Sequence, residues 1–123
     1  MKNYTKILLL ILFLTSSFSC KDEGECCTPP FACGVENPAE NLPWLKAMIE
    51  SWKSNNQELY TYMYVLQGKY FGETVIVIGS CCPFCDFASL IYNCSGDVIN
   101  PLSAEPITDQ KVIWKPLGSE CNL

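Results

Sequence analysis

The chain has 123 residues, with eight lysines, no arginine and no histidine against thirteen acidic residues, and a net charge of −5. Without histidine, Ser-His-Asp, Cys-His and His-ligated zinc chemistry are excluded. Without arginine and with an acidic balance, the composition argues against nucleic acid and anionic lipid headgroups as ligands.

In chain order the first predicted element is an export signal. Lys2 and Lys6 supply a positive start, residues 7–14 (ILLLILFL) an unbroken apolar run, and residues 15–19 a small, mostly polar end before Cys20. The run is short against the roughly twenty residues of a membrane span, so it reads as a cleaved signal over residues 1–19. General cleavage could use Ser17-Phe18-Ser19. Cleavage directly before Cys20 leaves a thiol that can carry diacylglycerol. The segment resembles bacterial lipoprotein signals, with Ser17 where their commonest form has leucine. The residues that follow, Cys20-Lys21-Asp22-Glu23-Gly24-Glu25, are similar to the acidic tract that sends Bacteroidota-type lipoproteins to the outer face of the outer membrane. Acyl chains contribute about 0.8 kcal/mol per buried CH₂, so several of them hold a protein on a membrane. The expected location is therefore the outer membrane at the cell surface, with the periplasmic face or secretion as alternatives. Loss of Lys2 and Lys6 leaves six lysines against thirteen acids, a net charge of −7.

Residues 20–40 read as an acidic tether, partly pinned by cysteines, ahead of one domain over residues 41–123, which has room for a single core. The spacing predicts a helix over residues 42–54. Asn41 can cap it, Pro43 suits its first turn, and Leu45, Met48, Ile49 and Trp52 form one apolar stripe. Trp44 and Trp52 are expected to pack on a sheet. Residues 59–66 are aromatic and β-branched and predict a strand, with Tyr60, Tyr62 and Tyr64 on one face. That row is either a stacking surface for sugar or peptide or ordinary cross-strand packing. Gly68 or Gly72 marks the reversal. Residues 74–78 (TVIVI) are apolar on both faces and predict a central strand, followed by strands at 88–92, 98–99 and 111–115 with a turn at 94–97. The expected class is α+β: one N-terminal amphipathic helix packed on a small antiparallel sheet of four to five strands, stapled by disulfides.

Nine cysteines are present. Lipid on Cys20 leaves Cys26, Cys27, Cys33, Cys81, Cys82, Cys85, Cys94 and Cys121, an even number that reads as a disulfide framework in an exported domain. The simplest arrangement ties the N-terminal segment and the C-terminus onto the 81–94 region. Neighbouring cysteines are expected to take different partners, because a ring between them strains the intervening peptide.

Cys82-Pro83-Phe84-Cys85 resembles the Cys-Pro-aromatic-Cys motif of glutaredoxins. In that setting a strand at TVIVIGS and a helix at DFASLIY would place Cys82 at a helix N-terminus, where its thiolate is favoured for attack and Cys85 resolves. Only 38 residues follow Cys85, too few for the rest of a thioredoxin-like fold. Cys81 and Cys94 would also compete for the active pair. Cys81, Cys82, Cys85 and Cys94 could alternatively hold zinc as thiolates, which an oxidising compartment disfavours. No catalytic residue, cofactor or metal site is assigned.

Taken together, the lipoprotein signal, Pro43-Trp44-Leu45, the tyrosine-rich strand pair, the Cys-Cys-x-x-Cys-Asp loop ending at Asp86 and the hairpin from Tyr92 to Gly96 resemble a family of small Bacteroidota lipoproteins. The resemblance implies no catalytic residue. The expected function is a lipid-anchored lipoprotein with a non-catalytic binding or structural role. Its partners are the membrane, through lipid on Cys20, and an unidentified extracellular or periplasmic ligand. The alternatives are a thiol–disulfide oxidoreductase using Cys82 and Cys85, and an exported inhibitor-like module.

Overall fold

A computed structural model describes residues 29–99 and 105–123. In chain order its elements are β1 (Phe31–Ala32), β2 (Val35–Glu36), α1 (Pro38–Asn41), α2 (Pro43–Asn55), α3 (Gln57–Tyr60), β3 (Met63–Tyr70), β4 (Glu73–Ser80), β5 (Leu90–Tyr92), β6 (Val98–Ile99) and β7 (Thr108–Trp114). The fold is mixed α+β. A five-stranded antiparallel sheet of order β6-β5-β4-β3-β7 is accompanied by the separate β1–β2 hairpin.

The doubly apolar β4 is the middle strand of the sheet. Val75, Ile76, Val77 and Ile78 are all buried. The register sets Ile76 opposite Gln67 and Ile78 opposite Val65. This face carries the core cluster, where Leu45 and Ile49 of α2 meet Val65, Ile76, Ile78 and Ile113. Val75 and Val77 belong to the opposite face, paired with Gly68 and Leu66. Ile107 closes over Gly68 so tightly that no Cβ would fit there.

The helical part differs from the expected single helix. Leu42, not Asn41, occupies the N-cap of α2 and makes no side-chain cap. Asn41 instead ends α1, and its Nδ2 donates to the Glu36 carbonyl at 2.6 Å. The strand expected from residue 59 begins only at Met63. Asn56 Oδ1 accepts from the Leu59 backbone N–H at 3.2 Å and caps α3. A side-chain cap of this kind satisfies an otherwise unpaired helical N–H, and here it outweighs the β preference of the residues that follow.

Two hairpins turn on paired left-handed residues. Phe71 and Gly72, with φ of 50° and 80°, carry β3 into β4, so Gly72 and not Gly68 makes the reversal. Cys33 and Gly34, with φ of 55° and 79°, do the same between β1 and β2. Paired positive φ angles match the twist of the flanking strands. The β1–β2 hairpin and α1 lie in the stretch read as tether. Ala32, Pro38 and Ala39 are buried there, so folded structure starts before residue 41. β5 begins at Leu90 rather than 88, and β7 starts earlier than expected, at Thr108.

Three disulfides are formed among the described residues. Cys33–Cys94 fastens the β1–β2 turn to the end of β5, and Cys81–Cys121 fastens the C-terminal tail to the end of β4. Cys82–Cys85 closes a ring within the loop after β4. Cys81 and Cys82 thus have different partners. The signal, Cys20, Cys26 and Cys27 lie outside the described residues.

Candidate ligand groove

The two hairpin turns converge at one end of the sheet, and a groove of about 780 Å³ lies there. That size falls within the roughly 300–1,000 Å³ of small-ligand sites. The β1–β2 hairpin contributes Phe31, and the β3–β4 turn contributes Tyr70 and Phe71. Phe31 is 60 % and Phe71 68 % exposed, unusual for side chains whose burial would each contribute about 1.5–3 kcal/mol. Tyr70 meets Phe71 edge-on, with ring centroids 4.7 Å apart. Cys33–Cys94 forms part of the wall and holds the hairpin against the sheet.

Some polar side chains of the groove are engaged within the protein, and one polar atom is buried without a partner. Asn93 Oδ1 accepts from the backbone N–H groups of Ser95 and Asp97, each at 2.9 Å, so this side chain builds the β5–β6 turn. Lys69 Nζ donates to Thr74 Oγ1 across the β3–β4 pair at 2.9 Å. Gln67 Oε1 is buried and accepts no hydrogen bond. Gln67 shares the sheet face of Val65 and stands directly opposite Ile76, a member of the core cluster. Glu73 and Asp109 also line the groove, which makes its charge slightly acidic.

The cysteine-rich loop lies at the other end of the sheet. Cys81 N–H donates to the Tyr62 carbonyl at 3.0 Å, and Cys121 Sγ lies 3.2 Å from the same carbonyl. β4 is antiparallel to both neighbours, and no helix follows it among the described residues: residues 86–89 are irregular and Leu90–Tyr92 is a strand. The strand-then-helix setting in which Cys82 would sit at a positive helix end is therefore absent. The four cysteines weighed as zinc ligands are also parted. Cys94 is bonded to Cys33 at the groove end, while Cys81 is bonded to Cys121. No cluster of three or more metal-ligating side chains occurs among the described residues.

The tyrosine row does not form. Tyr60 belongs to α3 and packs on Trp114, with centroids 5.8 Å apart. Tyr62 lies in a turn against Phe84, edge-on at 5.8 Å. Only Tyr64 is in a strand, where its ring covers Gly79. The groove residues Phe31, Gln67 and Phe71 are not singled out by the sequence reading. The one local signal was Tyr70-Phe71-Gly72 between Lys69 and Glu73, an aromatic pair at a turn. No family model, curated protein or solved structure matches the chain.

Proposed function

We propose that the chain is a Bacteroidota-type lipoprotein, exported and held at the outer membrane by lipid on Cys20. It presents the groove between its two hairpin turns to a ligand outside the cytoplasm. The role is binding rather than catalysis. The observation that carries this reading is the pair of exposed phenylalanines, Phe31 and Phe71, in one groove whose wall is braced by a disulfide. Exposed apolar surface of that kind marks interaction sites. In this reading α2 is the amphipathic cover of the sheet, its Leu45 and Ile49 serving the core and leaving the groove end open.

The oxidoreductase alternative draws on the half-exposed Cys82–Cys85 bond, which lacks the helix that would activate its thiol. The inhibitor-like alternative draws on Phe84, 68 % exposed in that loop. Phe84 nevertheless packs on Tyr62 inside a tight ring and offers no extended segment to a protease cleft.

Metabolic labelling with an alkyne fatty acid tests the anchor. The wild-type chain is expected to label and to fractionate with the outer membrane, and Cys20→Ser to lose the label and leave the membrane. Protease treatment of intact cells is expected to remove the domain. A labelled protein that resists protease on intact cells but not after lysis would move the domain to the periplasmic face. An unlabelled wild-type chain would overturn the lipoprotein reading.

A further inference from the structure

We infer that the groove takes a neutral carbohydrate, with sugar C–H faces against Phe31 and Phe71 and a hydroxyl donating to Gln67 Oε1. This deepens the proposed function and rests on the groove being the ligand site.

Three observations select this chemistry. The first is the orphan acceptor. Gln67 Oε1 is buried without a donor, and Gln67 is one of the residues that line the groove. A buried polar atom left unpaired is costly, so a ligand that brings a donor is favoured over a purely apolar one. The terminal torsion of glutamine is broad, which lets the carbonyl swing toward that donor.

The second is the mixture of surfaces. Phe31 and Phe71 are exposed aromatic rings, and the negative quadrupole of such a ring attracts polarised C–H groups. Polar side chains from Gln67, Glu73 and Asp109 interleave with them. A sugar ring has the same double character, with C–H groups on its faces and hydroxyls around its edge.

The third is charge and backbone. Lys69 is the groove's one cation among the described residues, it is engaged by Thr74 Oγ1, and it is accompanied by Glu73 and Asp109. The groove's charge is therefore negative on balance, which disfavours uronates, sulfates and phosphates. A peptide adding as a strand needs an unpaired sheet edge. β3, the groove floor, is paired on both sides, by β4 and β7.

The test uses the mature lipoprotein in a detergent without a sugar headgroup. It is probed with a panel of neutral gluco-, manno-, xylo- and N-acetylhexosamine oligosaccharides beside oligogalacturonate and chondroitin sulfate. An apolar peptide pool is run in parallel. At least one neutral oligosaccharide is expected to bind and the acidic ones are not. Phe31→Ala and Phe71→Ala, both at exposed positions, should each weaken binding about tenfold, in keeping with the loss of one aromatic contact and its buried area. Gln67→Ala should weaken it further while thermal melting reports that the variant still folds. Failure of every neutral oligosaccharide overturns the inference, as does binding that neither phenylalanine variant disturbs. Peptide binding lost in Phe71→Ala removes the carbohydrate but keeps the groove as the site. Binding of neither probe overturns both readings.

Discussion

The indole of Trp44, on α2, lies against Gly96 in the β5–β6 turn, so that a Cβ on Gly96 would sit 2.8 Å from Trp44 Cγ. Trp44 Nε1–H donates to the Cys94 carbonyl at 3.1 Å, and the ring stacks on Tyr92 with centroids 5.3 Å apart. One side chain thus couples the helix to the turn that Cys33–Cys94 also anchors. Gly96 is required twice, for its φ of +88° and for the space.

Gly96→Ala is accordingly expected to destabilise by about 2–3 kcal/mol, from left-handed strain and overpacking together. In a domain of this size that lowers the melting temperature on the order of 10 °C or more. Trp44→Phe should cost roughly 1 kcal/mol through the lost hydrogen bond alone. A Gly96→Ala protein that melts within about 2 °C of wild type would mean that the indole does not lie on the turn.

The three disulfides should rank by the loops they close. Their sequence separations are 61 for Cys33–Cys94, 40 for Cys81–Cys121 and 3 for Cys82–Cys85. Loop-closure entropy then assigns each of the first two about 4 kcal/mol and the third about 1.5 kcal/mol. Paired Cys→Ala variants compared by urea unfolding test this order, and equal losses for all three would contradict it. Under limiting phosphine, Cys82–Cys85 should open before Cys81–Cys121, because Cys82 and Cys85 are half-exposed and Cys121 is buried. Peptide mapping after alkylation reads that order directly.

Leu45 has no exposed surface, and Leu117 is fully exposed. Leu45→Ala truncates a fully buried α2 member of the core cluster that includes Val65 and Ile76 and is expected to cost about 2–5 kcal/mol. Leu117→Ala should stay within about 0.5 kcal/mol of wild type. Similar effects at the two positions, measured by chemical denaturation, would displace the core from the helix–sheet contact.

Tyr64 and Gly79 are direct cross-strand partners, and the tyrosine ring covers the glycine. Gly79→Ala forces the ring aside and should cost about 1–3 kcal/mol. In Tyr64→Ala the same glycine change should cost less, with a coupling of at least about 0.5 kcal/mol. Additive effects in the four-member cycle would show that the ring does not lie there.

Much of the body was readable residue by residue. Leu45 and Ile49 stand one turn apart and are both buried, and the run at 74–78, apolar on both faces, lies in the middle strand as that pattern predicts. One misread stretch was 59–62, where a β-rich composition hides part of a helical turn that Asn56 caps. The groove was not legible. Phe31 sits in a stretch without periodicity, and Gln67 and Phe71 read as an ordinary strand residue and a turn residue.

The sequence by itself determined what chemistry is excluded, through its missing histidine and arginine, and which segments alternate or repeat at helical spacing, because those patterns are properties of neighbouring residues. Only the tertiary structure decided that Cys33 meets Cys94, that Cys82 opens no helix, and that Phe31 and Phe71 face one groove. The reason is physical. Each of these depends on strand register and on where two hairpin turns come to rest, and register is set by the whole sheet packing at once.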